Sequence, residues 1–276
     1  METPCHGTPG RSTQYCRFSP QSVCSPATQS AVDDRKRHPG PPLVTEAAFI
    51  FGHPAAAFRF TPGHYARIGL SKPDGDIVWR PLSMVSSAGA DHLEFVVVLV
   101  PGGEFSTLLA EIGPGAMVHV DKSCFGFLTV DQLAAGNDLW LLASGTGVGP
   151  FVSILRDESA GRAFSRITLV HSVRQAEELV YKEFLTELAE NRAGFSYIPV
   201  VTRPPFGGIF AERIPALIQQ GTLEQALGLT LDHERSRIMV CGNPELARDL
   251  RALLSDRGFQ SGRRGVPGQM AFEKYW

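Results

Sequence analysis

Apolar positions change their rhythm once along this chain. From Phe49 to Lys122 they come in short runs rich in Val, Ile, Leu and Phe, broken by turn residues. Phe49–Phe51, His64–Leu70, Ile77–Met84, Leu93–Val100 and Met117–Lys122 are the five strands this pattern predicts. Thr61-Pro-Gly63, Lys72-Pro-Asp-Gly-Asp76 and Ser87-Ala-Gly-Ala90 lie between them and supply the backbone dihedrals that turns need. Phe105–Ile112 has helical spacing and is stopped by Gly113-Pro-Gly115. Short strands with little helix predict an antiparallel barrel or sandwich.

Beyond about residue 136 strands alternate with helices, the pattern of a parallel sheet with crossovers. Leu139–Ala143 is a continuous apolar run suited to a strand covered on both faces. Further strands are predicted at Ile167–His171, Ser196–Val201 and Arg237–Cys241, with a last one in the tail Gln269–Trp276. Helices are predicted at Gln175–Glu190, Ile214–Gln219 and Pro244–Asp256.

Residues 1–42 show neither period and are rich in Pro, Ser, Thr, Gln and Arg, so they read as a disordered or atypical tail. The chain therefore divides into that tail, a β-rich unit at 43–135 and an α/β unit at 136–276. With 276 residues, 43% hydrophobic content and a formal charge of −2, nothing favours a nucleic-acid partner. No apolar run approaches the roughly 18 residues of a membrane span. Five cysteines without metal-ligand spacing predict no metal or iron–sulfur site and a reducing, cytoplasmic setting.

Chemistry concentrates at three places. Gly145-Thr-Gly-Val-Gly-Pro150 follows the first α/β strand and opens a helix, a turn that aims backbone N–H groups at an anion. An NAD-type sheet ends its second strand in an acid that holds the ribose hydroxyl; here that strand ends in His171-Ser-Val-Arg174. Arg174, with Arg203 and Arg213 at later strand and helix ends, suits the 2′-phosphate of NADP instead. In the β-rich unit, Arg80-Pro-Leu-Ser83 precedes the helix start at Gly102-Gly-Glu-Phe-Ser-Thr107, so an arginine and a helix N-terminus could hold a diphosphate while Ser83 bonds a ring heteroatom.

Taken with Val201-Thr-Arg203, Cys241-Gly-Asn-Pro-Glu245 and the tail Glu273-Lys-Tyr-Trp276, these motifs resemble the bacterial ferredoxin–NADP reductases over residues 47–276. The resemblance implies a six-stranded antiparallel barrel carrying FAD, followed by an α/β parallel-sheet domain carrying NADP(H). FAD would meet Arg80, Pro81, Leu82, Ser83, Val96, Glu104, Phe105, Ser106, Thr146 and Trp276. NADP(H) would meet Val173, Arg174, Thr202, Arg203, Arg213, Asn243, Pro244, Glu245 and Asp249, with Gly145 and Gly147 in the glycine turn. Ser83, Cys241 and Trp276 would stand at the reacting rings. NADPH would give a hydride to the flavin, which would pass single electrons to ferredoxin or flavodoxin, the protein being a monomer.

The family usually has Tyr where this chain has Leu82, and Val96 is less aromatic than its pattern suggests. It also begins with a barrel strand upstream of Phe49, for which residues 1–42 offer no replacement, so the barrel is expected to lack its first strand and expose an edge. Two alternatives share these motifs: a flavin reductase serving an oxygenase or another acceptor, and a redox-inactive NADP-binding relative.

Overall fold

The computed structural model describes residues 13–19, 45–52, 58–113, 116–157, 162–263 and 265–274. Its first unit is a six-stranded antiparallel sheet built from β1 (Thr13–Ser19), β2 (Thr45–Gly52), β3 (Tyr65–Ser71), β4 (Ile77–Ser83), β5 (His92–Leu99) and β6 (Met117–Phe125). The order is β4-β3-β6-β1-β2-β5. A bridge from Met84 to Phe95, with the Val85 N–H on the Glu94 carbonyl at 2.8 Å, joins the two outer strands and closes the barrel. Phe58, Ile68, Leu70, Phe95, Val118 and Val120 fill it, and α1 (Glu104–Glu111) adds Phe105 and Leu109 to the same core.

The expected missing strand is present. Thr13–Ser19 pairs antiparallel with β6, where Tyr15 faces His119, and with β2, where Phe18 faces Phe51. Thr, Tyr and Phe within these seven residues are good strand formers. A run this short, set among prolines and serines, carries little local signal, and its pairing with β6 lies about a hundred residues away in the chain.

The second unit is a five-stranded parallel sheet, ordered β11-β10-β7-β8-β9. Its strands are β7 (Asp138–Ser144), β8 (Arg166–Val173), β9 (Phe195–Val201), β10 (Ser236–Gly242) and β11 (Met270–Lys274). Alternation in β7 assigns the two faces: Leu139, Leu141 and Ala143 pack with α2 (Gly149–Arg156) and α3 (Lys182–Asn191), whereas Trp140 and Leu142 pack with α4 (Ile214–Gln219), α5 (Thr222–Leu227) and α6 (Pro244–Asp256). The first of these clusters also takes in Val85, Val96 and Leu128, so the core is continuous with residues at the barrel's edge.

The helix expected at 175–190 is broken. A 3-10 turn at Ala176–Glu178 is followed by Tyr181 at φ 60°, and α3 starts only at Lys182. A left-handed tyrosine costs energy that tertiary contacts must offset. Here its hydroxyl donates to buried Glu94 of the barrel at 2.7 Å.

Candidate active site between the two units

The end of β4 and the last strand, β11, meet at the junction. The Ser83 hydroxyl donates to Glu273 Oε1 at 2.9 Å, joining residues 190 positions apart. Parallel register places Glu273 beside Cys241, Cys241 beside Ala143, and Ala143 beside His171. Burial raises the Glu273 carboxyl above the ordinary carboxylate range, while the Ser83 hydrogen bond pulls the other way. Ser83 and Cys241 thus come to one place beside Glu273; Trp276 lies outside the described residues. Glu273 was visible as part of the tail motif but carried no assigned role.

Aromatic rings border this pair. Tyr65, opposite Ser83 on one side and Phe125 on the other, stacks on Phe125 with centroids 5.7 Å apart. A side chain at Gly126, whose φ is +111°, would stand 3.2 Å from both Glu273 Oε2 and the Tyr65 ring. The tyrosine therefore adjoins the Ser83–Glu273 pair, an arrangement with no signal in the sequence.

The glycine turn sits directly behind. Gly145–Val148 forms one 3-10 turn whose Thr146, Gly147 and Val148 are buried. A Cβ on Gly147 would lie 2.4 Å from the Cys241 carbonyl oxygen, and one on Gly149 would lie 3.1 Å from Val96. Gly147 requires glycine for this approach to β10, and Gly149 sits tight against the barrel, with or without a phosphate. His171 lies beneath this turn, fully buried, and its Nε2 donates to the Gly145 carbonyl at 3.0 Å. Its Nδ1 has no hydrogen-bond partner among the described residues. Burial pushes its pKa down to about 4.

On the barrel side, Arg80 is exposed, donates to the Trp79 carbonyl at 2.8 Å and has no ion pair among the described residues. Pro81 is exposed and Leu82 half-buried. Glu104 opens α1 and reaches Lys72 at 3.7 Å, while Gly103 before it provides no side-chain cap. The phenyl ring of Phe105 is in the barrel core, Ser106 Oγ accepts from the Val100 N–H at 3.0 Å, and Val96 is buried at the junction. The Phe105 ring is thus committed to packing rather than to the surface.

The three arginines do stand at the C-terminal edge of the parallel sheet. The Arg203 N–H donates to the Arg174 carbonyl at 2.9 Å, and Thr202 donates to Val173 through both its N–H and its hydroxyl. Arg174 is half-exposed and paired with Glu178 at 3.3 Å; Arg203 has no ion pair among the described residues. Arg213 reaches Glu245 at 3.4 Å, both exposed. Asn243 caps α6 by accepting from the Leu246 N–H at 2.9 Å, Pro244 occupies the first turn, and Asp249 pairs with Arg248.

Between the two units runs a buried polar tie with no sequence signature. Glu94 of β5, 3% exposed, accepts from Arg156 at the end of α2 and from Tyr181. Arg156 also donates to the Val85 carbonyl at 3.0 Å and lies over the rings of Tyr181 and Phe184. Ser153 donates to the Ser86 carbonyl at 2.7 Å.

Comparison with known proteins agrees with this geometry. Residues 44–127 match the family model described as an oxidoreductase FAD-binding domain, and residues 141–252 match the oxidoreductase NAD-binding domain. The chain is 39% identical to the flavodoxin/ferredoxin–NADP reductase of Shigella flexneri over 84% of its length and 94% of that protein's. It is 36% identical to ferredoxin–NADP reductase A of Sorangium cellulosum, covering 79% and 81% of the two chains. Among solved structures, a Neisseria gonorrhoeae ferredoxin–NADP reductase with bound FAD and NADP superposes with a TM-score of 0.81 at 31% identity, covering 95% and 98% of the two chains. The chain belongs to the flavodoxin/ferredoxin–NADP reductase family.

Proposed function

We propose that this protein is an FAD-dependent oxidoreductase that moves electrons between NADP(H) and a ferredoxin or flavodoxin. The observation that carries the reading is the Ser83–Glu273 pair, which joins the flavin motif to the last strand of the nucleotide unit at one point. We assign residues 43–135, completed by Thr13–Ser19, to the FAD-binding unit and 136–276 to the NADP-binding unit. The working protein is a cytoplasmic monomer; among the described residues no helix is long and apolar enough to cross a membrane.

The residues present fit both groups. Arg80, exposed and without an ion pair among the described residues, and the uncapped start of α1 offer a cation and free N–H groups to a diphosphate. The backbone from Pro81 to Ser83, with Val96, Glu104–Ser106 and Thr146, would border the flavin, and Trp276 would cover it. Arg174, Arg203 and Arg213 offer guanidinium groups to the 2′-phosphate, with Val173, Thr202, Asn243, Pro244, Glu245 and Asp249 along the same edge.

FAD, when bound, supplies the exchange between a two-electron nicotinamide and a one-electron carrier. The chain's own part is position and protons. The Ser83 hydroxyl donates to Glu273, whose carboxyl is raised above its ordinary range by burial, and so fixes a proton donor–acceptor pair at the junction of the two units. Cys241, fully buried next to Glu273 in register, closes the floor of the site against water.

Purified protein reconstituted with FAD is expected to show a flavin absorption spectrum that bleaches on adding NADPH anaerobically. Protein that takes up no FAD, or whose bound flavin NADPH leaves oxidised, rejects the function. Arg174→Ala is expected to weaken NADPH by about 1.5–3 kcal/mol and NADH far less, because only NADPH loses a charge-assisted bond. Equal losses for both nucleotides in steady-state kinetics would remove Arg174 from the 2′-phosphate site.

A further inference from the structure

Helix α2 leaves the glycine turn and runs along the barrel. Its contacts there fall at Gly149, Ser153 and Arg156, spaced i, i+4 and i+7, which is one face of a helix. A Cβ on Gly149 would stand 3.1 Å from Val96 and 3.3 Å from Val85. Ser153 donates to the Ser86 carbonyl, and Arg156 donates to the Val85 carbonyl and to Glu94. The seam therefore runs the whole eight residues of the helix, about 12 Å. On the barrel side it uses one place: Val85 and Ser86 come just after Ser83, and Glu94 and Val96 flank Phe95, whose bridge to Met84 closes the barrel.

A second element of the nucleotide unit ends on the same carboxylate. Tyr181, left-handed at φ 60° just before α3, donates its hydroxyl to Glu94 at 2.7 Å, and its ring lies under the Arg156 guanidinium, 5.6 Å from carbon to centroid. Two separate stretches, one following the glycine turn and one following β8, are thus fixed to the strand ends beside Ser83. Apolar packing alone is non-directional and lets two surfaces slide. Charge-assisted bonds to a buried carboxylate fix direction as well as distance.

Hydride transfer between a ring held by the barrel and a ring held by the sheet depends on how the two units sit. Reacting atoms must come within about 3–3.5 Å, and a misplacement of about 1 Å costs on the order of a hundredfold in rate. We propose that Arg156, Glu94 and Tyr181 are positioning residues for hydride transfer from NADPH to the flavin: from outside the site they set the separation of the two rings. The inference rests on the FAD and NADP reading and adds to it what holds the two sites in relation to each other.

The test is stopped-flow reduction of FAD-loaded, full-length protein by NADPH, with NADP+ affinity measured by calorimetry and the long-wavelength charge-transfer absorbance of stacked flavin and nicotinamide recorded on the same samples. Arg156→Gln is expected to slow flavin reduction at saturating NADPH by on the order of tenfold to a hundredfold and to weaken the charge-transfer band while NADP+ affinity is retained. Tyr181→Phe, which keeps the ring and drops only the hydroxyl, should move both readouts the same way by a smaller factor, and it decides the matter if Arg156→Gln does not fold. Leu254→Ala destabilises the same unit from the far face of its sheet and should leave rate and band at wild-type values. Wild-type rates and bands in Arg156→Gln and Tyr181→Phe overturn the proposal. So does an equal slowing in Leu254→Ala, or a slowing that saturating NADPH abolishes. Wild-type protein whose bound flavin NADPH leaves oxidised overturns the functional reading together with the proposal, so the two failures are distinct.

Discussion

Arg156→Ala is expected to lower stability by about 3–5 kcal/mol, the range for removing one partner of a buried ion pair. The reason is what stays behind. Glu94 is 3% exposed and takes its bonds from Arg156 and Tyr181, so the substitution leaves a carboxylate in the junction with one neutral donor. The lost guanidinium also uncovers the Val85 carbonyl and the faces of Tyr181 and Phe184. Urea denaturation of Arg156→Ala, Glu94→Gln and the double variant measures the coupling. The double variant should cost much less than the sum of the single ones, because no carboxylate is then stranded. A loss below about 1 kcal/mol in Arg156→Ala, the scale of an exposed pair, would rule out this account.

Stability should also fall on mild acidification, through His171. Its pKa is depressed from 6.5 to about 4 in the folded protein, so between these values the unfolded chain binds a proton that the folded one refuses. The stabilisation is complete above pH 6.5 and declines as pH drops, by about 3 kcal/mol once pH 4 is reached. Burial is the main cause, and the cation would also place an Nδ1–H where no acceptor waits. His171→Gln keeps a donor for the Gly145 carbonyl and removes the titration. Comparing both proteins at pH 7.5 and pH 4.5 cancels the carboxylates they share; parallel curves would show that His171 contributes nothing.

Much of the nucleotide unit was legible in the sequence, because its elements announce themselves locally. The apolar run at Leu139–Ala143, the helix at Pro244–Asp256 and the arginines at strand ends each fall where the structure has them. The barrel was legible as strands but not as a closed sheet. Ser83 was identified from its motif, yet its partner Glu273 is 190 residues away, and only the register of β11 on β10 brings the two together. Tyr181 shows the limit more sharply. Nothing near it in sequence breaks a helix; a carboxylate 87 residues earlier fixes its hydroxyl instead. Val96 and Gly149 illustrate a different ambiguity: a motif position can be small or aliphatic because two units meet there, whether or not a cofactor also does.

The place of Thr13–Ser19 in the barrel bears on how the protein can be shortened. This strand is not at a margin but lies between β6 and β2. A version starting at residue 44, where the FAD-domain match begins, would keep every motif and still divide the sheet into a three-stranded part, β4-β3-β6, and a two-stranded part, β2-β5. Among the described residues only the short bridge near Met84 would join these strands. The segment with the least recognisable sequence is thus the keystone of the barrel, and trimming to the motifs would remove it.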